Sequence, residues 1–91
     1  GGAMQFEWDE NKARSNKAKH GVDFESARQF DFDTALYIVD NAMAYGEERW
    51  QAIGFIGPRL HTLIFTERGS RIRIISLRKA SYAEMKDFYE R

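Results

Sequence analysis

The order of elements readable along the chain, β-α-α-β-β-β-β-α, predicts an α+β fold: an antiparallel β-meander sheet with two N-terminal helices and one C-terminal helix packed on one face. Three observations carry this. Four runs of strand-like apolar patterning lie between residues 35 and 77. The last three of them are joined by short glycine-bearing turns. Two helical patterns with N-cap residues precede the strands, and a third closes the chain.

The chain opens Gly1-Gly2-Ala3-Met4, so residues 1–3 read as a purification-tag remnant and residues 4–91 as a single domain. Residues 5–8 alternate polar and apolar side chains and predict a short edge strand. Asp9 has the chemistry of an N-cap, and residues 9–20 form a polar helix with a thin apolar stripe, closed by Gly21. Asp23 is a second N-cap, with Val22 and Ala27 placed as a hydrophobic staple and Phe24, Ala27 and Phe30 as the buried side. After Asp31-Phe32-Asp33 the pattern changes to strands at residues 35–39, 49–56, 60–67 and 71–77. Ser81 and Glu84 make a capping box, and Tyr82, Met85, Phe88 and Tyr89 give the last helix its apolar stripe.

Gly57-Pro58-Arg59 and Arg68-Gly69 are short enough to close antiparallel hairpins. With Arg68-Gly69 as a two-residue turn, Phe65 pairs with Ile72 and Leu63 with Ile74, and these four belong to the core. Thr66 then pairs with Arg71 and Ile64 with Arg73. Thr62, Ile64, Thr66, Arg71 and Arg73 become a partly basic open face, and a slip of one residue would exchange the two faces. Ile64, Ile75 and Leu77 are expected to leave an apolar strip there that suits a partner's helix. Trp8, Trp50, Phe6 and Phe55 are large enough to dominate a core of this size.

Composition removes several function classes. The chain has no cysteine, so neither disulfides nor thiolate metal sites hold it together. No stretch approaches 18 apolar residues and no charged-then-apolar leader opens the chain, which predicts a soluble cytoplasmic protein without membrane association. Two histidines without carboxylate pairs at ligand spacing give no zinc signature. There is no glycine-rich phosphate loop and no serine-centred triad, so neither a metal nor a nucleotide cofactor is expected. The 14 basic and 14 acidic residues cancel, but unevenly. Residues 1–58 hold 6 basic and 10 acidic side chains, whereas residues 59–91 hold 8 and 4, enough for a local basic patch.

Three blocks, FEWDENKARSNKAKHGVDFESA at residues 6–27, GEERWQAIG at residues 46–54 and TERGSRIRIISLRKAS at residues 66–81, with Glu84 and Tyr89 beyond them, resemble the BrnT family of toxins in order and spacing. The resemblance covers about nine-tenths of the native chain and makes residues 4–91 a BrnT-like toxin domain. It implies a RelE-like fold, an endoribonuclease activity that halts translation, and neutralisation by a BrnA-type antitoxin. Operator DNA would then be reached only through the antitoxin. The competing reading is a non-catalytic module that merely docks a DNA-binding antitoxin.

Cleaving RNA without a metal requires a group to take the 2′-hydroxyl proton and cations to hold the charge that builds on the phosphate. Arg68, Arg71, Arg73, Arg78 and Lys79 crowd one hairpin and its exit, and Arg suits the task because its planar fork binds phosphate bidentately. Arg73, mid-strand, and Arg78 are the candidates for catalysis; Arg68, Arg71 and Lys79 are candidates for holding RNA phosphate. The alternative reading makes Arg71 and Arg73 a solvated strand face and Arg78 an ion-pair partner of Glu84. On the first helix Lys12, Asn16 and His20 recur every four residues, with Lys19 beside them, so Lys12 and Lys19 are further phosphate-binding candidates. His20 offers an imidazole for proton transfer, or else a C-terminal cap beside Gly21. Glu67 at the hairpin tip is a candidate base. Glu47 and Glu48 read as a solvated loop, Arg49 adds a candidate phosphate contact, and His61 reads as a half-buried packing residue placed opposite Ser76.

Overall fold

A computed structural model describes residues 4–40 and 48–91, so Gly1 to Ala3 and Glu47 lie outside the described residues. In chain order the elements are β1 (Gln5–Glu7), α1 (Glu10–His20), a 3-10 helix (Phe24–Gln29), β2 (Leu36–Asp40), β3 (Arg49–Ile56), β4 (Arg59–Arg68), β5 (Arg71–Lys79) and α2 (Tyr82–Glu90). The fold class is α+β, as the pattern predicts. Among the described residues, no helix is long and apolar enough to cross a membrane.

Two glycines set the meander. Gly57 and Gly69 adopt φ of 58° and 59° as the first central residue of two-residue turns, leaving Ile56 opposite Arg59 and Arg68 opposite Arg71. The second turn is therefore Gly69-Ser70 rather than Arg68-Gly69, which moves the expected register by two residues. Thr66 faces Arg73 and Phe65 faces Ile74, while His61, beyond a bulge that adds one more residue, faces Lys79 rather than Ser76. A shift of two preserves which face each side chain takes. β2 adds antiparallel to β3, while β1 adds parallel to β5, giving the order β1-β5-β4-β3-β2. The sheet is thus mixed rather than wholly antiparallel, because β1 joins the β5 edge in the same direction while α1 and the 3-10 helix carry the chain across to β2 at the far edge.

The alternation breaks once. Phe65 pairs with Ile74 but Ile64 pairs with Ser76, so Ile75 is an extra residue in a β-bulge. The bulge turns Leu77 into the core, where it is fully buried, and Ile64 and Ile75 are half-buried. The expected exposed strip of Ile64, Ile75 and Leu77 does not exist. Nor is the face around it open throughout, since Thr62 and Thr66 are buried.

The two faces of the sheet carry separate cores. On one, Ala52, Leu63, Phe65, Ile74 and Leu77 pack against Val22, Phe24, Ala27 and Phe30, with Phe6, Trp8 and Trp50 at the margin. On the other, Ile53 and Leu60 pack against Phe88 of α2, with Phe55 and Met85 alongside. The helices are therefore divided between the faces rather than gathered on one. The second helical segment is 3-10, not α. Its buried residues Phe24 and Ala27, and its cap Phe30, recur every three residues, the period of a 3-10 turn. Asp23 precedes it without a side-chain cap and instead pairs with Lys17 at 3.1 Å. The chain after it crosses β3 closely: Asp31 N–H donates to Phe55 O at 2.9 Å, and a Cβ added at Gly54 would lie 2.8 Å from Phe30 Cζ.

Candidate functional site

α1 begins at a true N-cap, with Asp9 Oδ1 accepting from the Asn11 and Lys12 amides, and ends at Gly21 with φ 74°. It has almost no apolar face, and Asn16 is its one buried residue. Packing of oily side chains therefore cannot be what attaches it. β1 covers β5 only from Arg71 to Arg73, which leaves the outer edge of β5 open beyond that point. Asn16 fills this gap like a piece of neighbouring strand. Its Nδ2 donates to Leu77 O at 2.7 Å and Val22 O at 3.1 Å, while its Oδ1 accepts from Leu77 N at 3.2 Å and Ser76 Oγ at 3.3 Å. Asn16 is thus a structural clamp rather than part of an RNA-facing stripe.

The clamp fixes what its neighbours do. One turn before it and one turn after it, Lys12, Lys19 and His20 line a hollow of about 360 Å³ together with Arg49, Ile75 and Ser76. Lys12 and Lys19 are exposed, while His20 and Arg49 are half-buried. None of the described residues lining this hollow is acidic. Three cations, an imidazole and the Ser15 and Ser76 hydroxyls around one concavity can seat a phosphodiester and move a proton beside it.

The arginine cluster is dispersed by comparison. Arg73 Nη1 donates to Glu7 Oε2 at 2.8 Å across the β1–β5 pairing, so its charge is already balanced. Arg78 forms a fork on Glu84, Nη1 to Oε1 at 2.7 Å and Nη2 to Oε2 at 2.8 Å. Glu84 also accepts from Thr62 Oγ1, Gln51 Nε2 and the Ser81 amide, which completes the expected capping box. The Arg78 guanidinium, with the Ser81 and Thr62 hydrogen bonds, holds the Glu84 carboxyl at a pKa of about 2 against the pull of burial. Arg68 and Arg71 face each other at the exposed hairpin tip. Lys79 is exposed and lines a different hollow beside Pro58 and Tyr89. Glu67 lines a hollow with Trp50 and Phe65, on the face of the sheet opposite Arg73, so the candidate base and the candidate arginines are not brought together. His61 is buried, with Nδ1 2.9 Å from Arg59 O, and serves packing.

Sequence reasoning missed Asn16 as a clamp, Glu7 as the partner of Arg73, and Ser76. A buried Asn on an otherwise polar helix leaves no periodic signal. The Glu7 pairing depends on a parallel strand contact 66 residues away in the chain.

A family model described as the ribonuclease toxin, BrnT, of type II toxin-antitoxin systems matches residues 8–84. No curated protein matches the chain.

Proposed function

The chain belongs to the BrnT family of ribonuclease toxins of type II toxin–antitoxin systems, and from that premise we propose that it is a metal-independent endoribonuclease acting at the hollow between α1 and the sheet. The supporting observation is the convergence there of Lys12, Lys19, His20 and Arg49 without a lining carboxylate among the described residues. Lys12, Lys19 and Arg49 hold the scissile phosphate and the charge that grows on its oxygens. His20 takes the 2′-hydroxyl proton as that oxygen attacks phosphorus. The bond to the 5′-oxygen then breaks and that oxygen takes a proton from water, leaving a 2′,3′-cyclic phosphate and a 5′-hydroxyl end. In this reading the fold is RelE-like, the protein works in the cytoplasm, cleavage stops translation, and a BrnA-type antitoxin that itself contacts operator DNA neutralises it.

The non-catalytic alternative draws support from the pairing of Arg73 and Arg78 with carboxylates, which leaves neither arginine open to a phosphate. Purified protein incubated with total RNA in EDTA separates the two. Fragments ending in 2′,3′-cyclic phosphate are expected, with rates falling about 10²–10⁴-fold in His20→Ala. Intact RNA, or cleavage unchanged in His20→Ala and Lys12→Ala, defeats the proposal.

A further inference from the structure

The face of the sheet away from the cationic hollow carries a groove that the activity does not use. Met4, Phe32, Tyr37, Trp50, Phe65 and Ile72 line a hollow of about 300 Å³. A second hollow, of about 470 Å³, adjoins it through Met4 and Phe32. Met4 and Tyr37 are 49% and 42% exposed, so the groove presents apolar surface to solvent. Val39, also exposed, lies beside Trp50 in the β2–β3 register and extends the apolar strip to the outer strand of the sheet.

The charge around the groove selects its occupant. Asp31 and Asp33 stand at one end and Glu67 at the other. Among the described lining residues the one cation, Arg28, is held by Glu25 at 2.8 Å and lies over the Phe6 ring. Such a rim repels RNA phosphates and attracts a basic peptide. We propose that this groove is the anchor for the antitoxin, which places an apolar side chain of a Lys- or Arg-rich segment between Tyr37 and Trp50 and sets its cations against Asp31, Asp33 and Glu67. The proposal rests on the reading of this chain as the toxin of a toxin–antitoxin pair.

Trp8 and Trp50 are the two tryptophans of the chain, and of these only Trp50 lines the groove. The toxin labelled with 5-fluorotryptophan is titrated with the unlabelled antitoxin encoded beside it, and both resonances are followed by fluorine NMR, with Trp8→Phe assigning them. A shift of the Trp50 resonance with Trp8 unmoved is expected. Asp33→Lys should weaken the complex about ten-fold and Tyr37→Ala about thirty-fold or more. Both variants should melt cooperatively and cut RNA at the parent's rate, so that they are toxins the antitoxin no longer restrains. If the parent forms no complex, the toxin–antitoxin reading falls and this proposal with it. If the parent binds tightly but Trp50 does not move and neither substitution weakens binding, the docking surface alone is wrong. A Trp50 shift that depends on toxin concentration, or that RNA produces, assigns the groove to a second copy or to nucleic acid and overturns the antitoxin as occupant.

Discussion

Glu84 accepts five hydrogen bonds, two from Arg78 and one each from Thr62, Gln51 and the Ser81 amide, and so ties α2 to β3, β4 and β5 at one carboxylate. Its pKa falls from an ordinary 4.5 to about 2, with Arg78 the largest cause. A depressed carboxyl pKa stabilises the fold fully above the unfolded value and progressively less as pH drops. This contribution should thus be intact above about pH 4.5 and fade toward pH 2, read as a falling urea midpoint between those limits. Arg78→Ala strands the carboxylate and should cost about 2–3 kcal/mol at pH 7, somewhat below the roughly 3–5 kcal/mol of a fully buried pair because Arg78 keeps 27% of its side chain exposed. In that variant the acid-dependent loss should shrink, which urea melts at pH 7 and pH 3 would detect. Arg73 is different. Its pair with Glu7 is about 30% exposed on both sides, so Arg73→Ala should lower stability by only about 0.5–1 kcal/mol. Because Glu7 already balances its charge, RNA cleavage in Arg73→Ala should fall less than in Lys12→Ala when both are measured at equal folded fraction.

At the level of elements, α1 depends on one side chain for its seat. Asn16→Ala removes the groups that satisfy the Leu77 amide and carbonyl at the β5 edge, and about 2–3 kcal/mol should be lost. The loss has a local signature: the Leu77 amide should exchange with solvent faster than the amides of β4, as hydrogen-exchange mass spectrometry would show. An equally protected Leu77 in the variant would mean another group closes that edge. β3 is constrained from its opposite side at Gly54, where a Cβ would meet Phe30 Cζ at 2.8 Å, Ala35 Cβ at 3.0 Å and Asp31 O at 3.1 Å. Two of these neighbours are a packed ring and a backbone oxygen, which cannot withdraw cheaply. Gly54→Ala should therefore destabilise by about 1–3 kcal/mol in thermal melts, despite adding a single methyl group.

Across the whole molecule, zero net charge hides an arrangement in which the cationic hollow and the acidic groove lie on opposite faces of one sheet. Holding single-stranded RNA with three cations releases counterions, so log affinity should fall with log salt at a slope of roughly −2, or about twenty-fold between 50 and 200 mM. A much flatter dependence, measured by fluorescence anisotropy with an uncleavable RNA, would mean that Lys12, Lys19 and Arg49 do not contact phosphate. Antitoxin binding should weaken with salt too, through Asp31, Asp33 and Glu67, but Lys12→Ala should leave that dependence untouched.

Element type and order were determined by the sequence alone, because they follow from local chemistry. Asp9, Gly21, Ser81 and Glu84 cap their helices wherever those helices go, and Arg49–Ile56 is a short, largely apolar run that ends at the Gly57-Pro58 turn, as a strand's would. The candidate residues Lys12, Lys19 and His20 were legible for the same reason: a helix puts every fourth residue on one side. The 3-10 segment was legible as a helix but its period of three was not distinguished from 3.6 over so short a span. Only the tertiary structure decided the rest. The bulge at Ile75, which carries Leu77 into the core, exists because two strands of unequal count must bury their apolar residues together. The parallel docking of β1, and with it the Glu7–Arg73 pair, depends on a contact between the two ends of the chain. That Arg73 meets Glu7 and Arg78 meets Glu84 follows from how the elements pack, and no spacing along a chain specifies that.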